Sequence, residues 1–202
     1  MRLKRSFFER DTNKIAQELL GKTLIRVMPD GSKIEAIIAE TEAYHGFDDK
    51  ASHASKKKTE RNKVMFDKAG LIYVYLVYGM YWCLNFVTMR EGFPAAVLIR
   101  AVVIDNLKFK NQNSKLQFRI QKFKKVRFDD RDYILIEGPG RVCKVLEIDK
   151  SFYGEDLTKS KRMWVEENGV DIGKYGMIKG KRVGVDYAEE SAEWEWNYKI
   201  NM

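Results

Sequence analysis

The 202 residues predict an α+β fold, a single domain over residues 1–202 in which a mostly antiparallel β-sheet is flanked by helices. Three observations carry that expectation. Apolar residues make up 45% of the chain and aromatic residues 12%, enough for one buried core and too many for a disordered chain. Short β-branched and aromatic runs recur between Gly- and Pro-containing turns, with only a few stretches of helical periodicity. Strands and helices do not alternate as a βαβ series would require.

Each element follows from local chemistry. Asp11 and Thr12 are N-cap residues for a helix over Asn13–Leu20, with Ile15, Leu19 and Leu20 on its apolar face and Gly21 as its stop. Thr23–Val27 and Ile34–Tyr44 read as strands joined through the turn PDGS at Pro29–Ser32, which makes a hairpin. Gly46 to Glu60 is polar and reads as a loop. Leu71–Val77 and Tyr81–Thr88 are strands with Tyr78-Gly79-Met80 as the bend between them, and Ala95–Val103 is another apolar strand. Tyr133–Ile136 leads through Gly138-Pro139-Gly140 into a helix carrying Val142, Val145, Leu146 and Ile148. Trp164–Glu166, Ile178 and Val183–Val185 are expected to be short strands, and the Gly-punctuated stretch from Gly169 to Gly184 to hold turns.

Composition excludes several classes of function. No apolar run is long enough to span a bilayer, so no membrane partner is expected. The N-terminus MRLKRSFFERD is basic but has no apolar stretch of the signal-peptide kind. Cys83 and Cys143 form no CxxC pair and sit in apolar runs, which suits small core residues in a reducing, intracellular setting. The formal charge of +8 points to a polyanionic partner. Between Lys108 and Arg127 there are eight Lys or Arg and no acid, with Phe109, Phe118 and Phe123 interleaved. That pattern suits a phosphate backbone, and it equally suits a solvated basic loop.

The chemistry concentrates in IIAETEAYHGFDDKASHA, Ile37–Ala54, which holds both histidines and four acids. On a strand, Glu40, Glu42 and Tyr44 share one face, and of two carboxylates on one face one can be held with a raised proton affinity, which suits a general base. A solvent-facing strand with its acids outward fits the same pattern. So does a metal site of His45, Asp48, Asp49 and His53, although that spacing matches no familiar metal motif. Arg141, beside Gly138-Pro139-Gly140 at a helix start, stands where a phosphate could bind.

Taken in order, LLGKTLIR (Leu19–Arg26), AETEAYHG (Ala39–Gly46), ASHA (Ala51–Ala54), TERNKVMF (Thr59–Phe66), AGLIYVYLVYGMYWCLN (Ala69–Asn85), AVLIRA (Ala96–Ala101), EGPGRVCKVLEID (Glu137–Asp149) and RVGVDYAEE (Arg182–Glu190) resemble the alkyladenine, or mammalian-type 3-methyladenine, DNA glycosylase family. The likeness runs from about Leu19 to Glu190. It implies a curved sheet with a protruding β-hairpin and a monofunctional enzyme that removes damaged purines from double-stranded DNA. The implied protein is an intracellular monomer, without lyase activity and without a metal or organic cofactor.

The resemblance also implies roles. Glu42 orients and deprotonates the attacking water, and Arg100 lies near that water. Tyr44 and Tyr75 stack on the flipped base from two sides, His53 lines its pocket and Asn85 closes the floor. Tyr78 wedges into the duplex, and Met80, Tyr81, Arg61 and Arg141 complete the DNA contacts. Glu40 is expected to be structural, tuning Glu42. Two tyrosine faces would attract a cationic purine by something on the order of 0.5–2 kcal/mol, and His53 is the nearby group with a proton affinity suited to neutral lesions. Glu60 departs from the family, which commonly has Pro there. A DNA-binding module without catalysis and a metal-dependent hydrolase are the competing readings.

Overall fold

The protein is described from a computed structural model over residues 1–106, 123–128 and 130–202. Residues 108–122 of the basic segment lie outside the described residues. Among those described, ten strands join one antiparallel sheet and three α-helices lie beside it. The α+β expectation is met.

After the short helix α1 (Arg5–Phe8), α2 (Thr12–Leu19) starts where Asp11 accepts the backbone N–H of Lys14, and it buries Ile15, Ala16 and Leu19 against the sheet. β1 (Lys22–Val27) and β2 (Lys33–His45) form the expected hairpin. β2 is long enough to be shared. Lys33–Ile37 pair with β1, Glu40–Glu42 pair with β10 (Asn197–Ile200), and Ala36–His45 run along β5 (Ala95–Asp105). β5 is shared in the same way, with β4 (Tyr81–Val87) beside its start and β7 (Arg131–Glu137) beside its end. β3 (Ile72–Val77) closes one edge by pairing with β4, while β8 (Met163–Gly169) flanks β1. β6 (Lys124–Phe128) pairs with β7, and β9 (Met177–Gly180) with β10.

The main core fills the face covered by α2 and by α3 (Pro139–Val145), and a smaller apolar cluster around Ala39, Ala101, Val103 and Tyr133 lies elsewhere on the sheet. α3 ends earlier than its apolar spacing predicts. Leu146 is its C-cap, and Ile148 returns by donating its N–H to Cys143.

Two expectations are corrected. Val183–Val185 is a turn, not a strand: Gly184 has φ +77°, and the N–H of Val183 goes to a carboxylate instead of a neighbouring strand. The tail of the basic segment, Lys124–Phe128, is a strand, where the sequence alone left a loop open. β10 and α1 were not foreseen.

Candidate active site

The ladder between β2 and β5 slips on both sides of Glu40, and in the slip neither Ala39 nor Arg100 has a residue directly opposite. Such irregularities re-aim a side chain without breaking a sheet. Here Arg100 meets both acids of β2, with its Nε 3.2 Å from Glu40 and its Nη1 3.6 Å from Glu42.

Glu42 is fully buried. A buried carboxylate is tolerated only where donors replace its lost water, and Glu42 has three besides Arg100. Its Oε1 accepts the N–H of Val183 at 2.8 Å and the Asn197 side-chain amide at 3.0 Å, and its Oε2 accepts the Tyr44 hydroxyl at 3.0 Å. Asn197 also donates to Glu40 at 2.7 Å. The two acids are clamped, not turned to solvent as an outward-facing strand would have them. Burial pushes the Glu40 carboxyl above the usual carboxylate range, against the pull of Asn197 and Arg100, so the raised affinity expected of one acid falls on the neighbour of Glu42.

Glu42 and Arg100 stand at one side of a cavity of about 390 Å³, and Glu40 lies behind them, outside its lining. Its walls include Tyr44, His53, Tyr73, Tyr75, Asn85 and Leu98. Tyr75 and Tyr73 lie 5.3 Å apart ring to ring, and His53 meets Tyr75 edge-on at 4.4 Å. Asn85 is buried, its amide donating to the Tyr73 and Cys83 carbonyls, which fixes it between β3 and β4. The Nδ1 of His53 lies 3.1 Å from the Tyr73 hydroxyl. His53 is exposed at the mouth, yet crowding of its ring and the Arg61 guanidinium push its imidazole down to about 4. That lowered proton affinity weighs against His53 as the donor of a proton to a neutral lesion.

Behind Tyr44 lies a buried ion pair absent from the sequence-based set. Arg182 grips Asp49 at 2.6 and 2.8 Å, with both side chains fully buried. It also donates to the carbonyls of Ala43 and Ser191, and its guanidinium packs 4.8 Å from the Tyr44 ring centre. Asp49 further accepts the N–H groups of His45 and Ala51. This pair ties the loop after β2 to the turn that supplies the N–H of Val183. It also takes Asp49 out of the metal reading, while His45 Nδ1 lies 2.8 Å from Thr12 Oγ1. Among the described residues, no three His, Cys, Asp or Glu side chains gather as metal ligands.

At the mouth, the β3–β4 hairpin turns through Tyr78 and Gly79 with φ of +52° and +70°, which leaves Tyr78 87% exposed. Tyr78 and Arg61 line the same cavity as Glu42; Met80, Tyr81 and Arg141 do not. Met80 and Tyr81 are exposed on the hairpin, and Arg141 is exposed on α3. Gly140 brings α3 against that hairpin, since a Cβ there would sit 2.9 Å from the Cβ of Tyr81. Glu60 is exposed and pairs with Lys63 at 2.8 Å.

The site residues that sequence reasoning missed are Asn197, Arg182, Asp49, the Val183 amide and Tyr73. Arg182 and Val183 stood in the quoted RVGVDYAEE without a role, and Asp49 stood in Ile37–Ala54 only as a metal candidate. Asn197 carried no signal.

Comparison with known proteins gives a consistent result. Residues 6–202 match the family model described as methylpurine-DNA glycosylase. A protein of Desulfitobacterium hafniense is 42% identical over 98% of this chain and 95% of its own length. One of Methanocella arvoryzae is 42% identical over 97% and 90%, and one of Clostridium botulinum strain Langeland 40% over 99% and 96%. All three are provisionally named as 3-methyladenine DNA glycosylases.

Proposed function

The chain belongs to the methylpurine-DNA glycosylase family, and from that premise we propose that it hydrolyses the N-glycosidic bond of alkylated purines flipped out of duplex DNA, with Glu42 activating the water. The carboxylate of Glu42 carries this reading, because it is held by four neighbours at one side of a ring-walled cavity.

A base inside a duplex is out of reach, so it must be extruded and its place filled. Tyr78, presented at the hairpin tip, is shaped for that filling, and an inserted ring offsets the few kcal/mol of lost stacking. The extruded purine enters between Tyr44 and the pair His53 and Tyr75. An alkylated purine is already cationic, so its bond to C1′ breaks without an added proton and the electron pair passes to the purine ring. The sugar becomes oxocarbenium-like. Water adds at C1′ and gives its proton to Glu42, while Glu42 and Arg100 form the charged surround of that carbon and Glu40 holds Arg100 from behind. The products are free base and an abasic site. Among the described residues no lysine lines the cavity, which supports hydrolysis without strand cleavage.

The test uses duplex oligonucleotide with one 7-methylguanine or 3-methyladenine, followed by alkali to cut abasic sites. The wild type should excise the lesion. Glu42→Gln should bind the duplex and lose roughly 10²- to 10⁴-fold in rate, the usual worth of a general base. Excision of no lesion by the wild type would sink the function, and full activity in Glu42→Gln would sink the mechanism.

A further inference from the structure

Two guanidinium groups line the cavity, and they stand in different company. Arg100 is matched by Glu40 and Glu42. Arg61 is exposed, donates to the Leu76 carbonyl at 3.1 Å and lies 5.3 Å from the Tyr75 ring centre. Its sequence neighbour Glu60 is taken up by Lys63. Among the described residues, no carboxylate pairs with Arg61. The cavity therefore has an unmatched positive charge beside Tyr75 and His53, whereas Arg100 is matched by Glu42 in the lining and by Glu40 behind it.

Breaking the glycosidic bond moves electrons along that same line. The pair in the C1′–N bond goes to the purine, so a cationic purine leaves neutral and a neutral one leaves with negative charge. Positive charge grows on the sugar until the water oxygen bonds to C1′ and its proton passes to Glu42. A fixed cation beside the base and the Glu42 carboxylate beside the sugar both favour this displacement, and interactions stronger in the transition state than in the ground state raise the rate of the chemical step.

We propose that Arg61 promotes departure of the base electrostatically, by holding an unmatched positive charge over the Tyr75 end of the cavity. This inference rests on the assignment of the Tyr75 end to the base and the Glu42 end to the sugar. It assigns Arg61 work in the chemical step, beyond contact with the DNA backbone. A cationic purine is opposed by Arg61 while bound and released from that opposition as it leaves, so the residue lowers the barrier at some expense in binding.

The experiment compares wild type, Arg61→Gln and Arg61→Lys on a 7-methylguanine duplex, with the single-turnover rate measured as a function of enzyme concentration. Arg61→Gln should lower the rate at saturation by roughly ten- to a hundredfold, below the loss from deleting a buried oxyanion donor because Arg61 is exposed. Arg61→Lys should recover most of that rate. A saturating rate within about twofold of wild type, with only the half-saturating concentration raised, would overturn the proposal and leave a phosphate anchor. Equal loss in both variants would also overturn it, by making the contact one of shape. A second readout needs no catalysis. The His53 imidazole, followed by proton NMR in the DNA-free protein, should titrate higher in Arg61→Gln than in wild type or Arg61→Lys; an unmoved His53 would show that the charge does not reach the slot. A wild type inactive on every lesion sinks the glycosylase reading, whereas an active wild type with an unaffected Arg61→Gln sinks this inference alone.

Discussion

Glu42 draws its holding groups from far apart in the chain, and Asn197 serves it and Glu40 together. Asn197→Ala should therefore lower the saturating excision rate by at least about tenfold, since an incompletely paired buried carboxylate loses its fixed geometry; an unchanged rate would leave Arg100 and the Val183 amide as sufficient. His53 makes a prediction of its own. Its ordinary value of 6.5 falls to about 4 in the folded protein, so unfolding takes up a proton between those values. Stability from this group is full above pH 6.5 and is lost as the pH falls toward 4. Thermal unfolding followed across that range should decline more steeply in wild type than in His53→Gln. Exposure of the residue limits the size of the effect, not its sign. That Glu42, Tyr44, Tyr75, Tyr78 and Asn85 belong together was legible at this scale because ETEAY and YVYLVYGMYWCLN are contiguous strings. Asn197 was not, because the partner that gives it meaning is 155 residues away.

Two turns shape the site. In the β3–β4 hairpin, Tyr78 takes a left-handed φ of +52° that side chains of its kind rarely adopt. Tyr78→Gly should leave the fold no weaker, with a gain of up to about 1 kcal/mol in chemical denaturation, while abolishing most excision. Loss of stability with retained activity would show a packing residue instead of a wedge. The other turn, Arg182–Val185, is pinned by the buried pair with Asp49. Asp49→Ala strands the guanidinium without a counter-charge and should cost about 3–5 kcal/mol, measured by urea unfolding, with excision lost as the Val183 amide drifts from Glu42. A cost under about 1 kcal/mol would mean that water compensates. The elements whose signals are local were readable: the α2 cap at Asp11, the PDGS turn, the Tyr78-Gly79 bend. Val183–Val185 was misread because β-branched residues favour strands, and nothing in that triplet announces that its N–H serves a carboxylate.

Across the whole molecule, the mixed α+β architecture followed from composition and punctuation, but the sharing of β2 among β1, β5 and β10 did not, since pairing between distant strands leaves no mark in either. The charge of +8 is likewise visible without coordinates. It predicts that DNA affinity falls linearly with salt on logarithmic axes, with a slope of about −0.9 for each phosphate neutralised; a slope near zero would remove charge from the account of binding. The closure of β10 over β2 has a further consequence. Glu42 is made early in translation and its clamp very late, so a nascent chain carries the carboxylate through most of its synthesis without the strand that aims it. If Glu42 is the general base proposed above, a fragment ending before Asn197 would carry its carboxylate without the side chain that holds it, and base excision should appear only once Asn197 has been made.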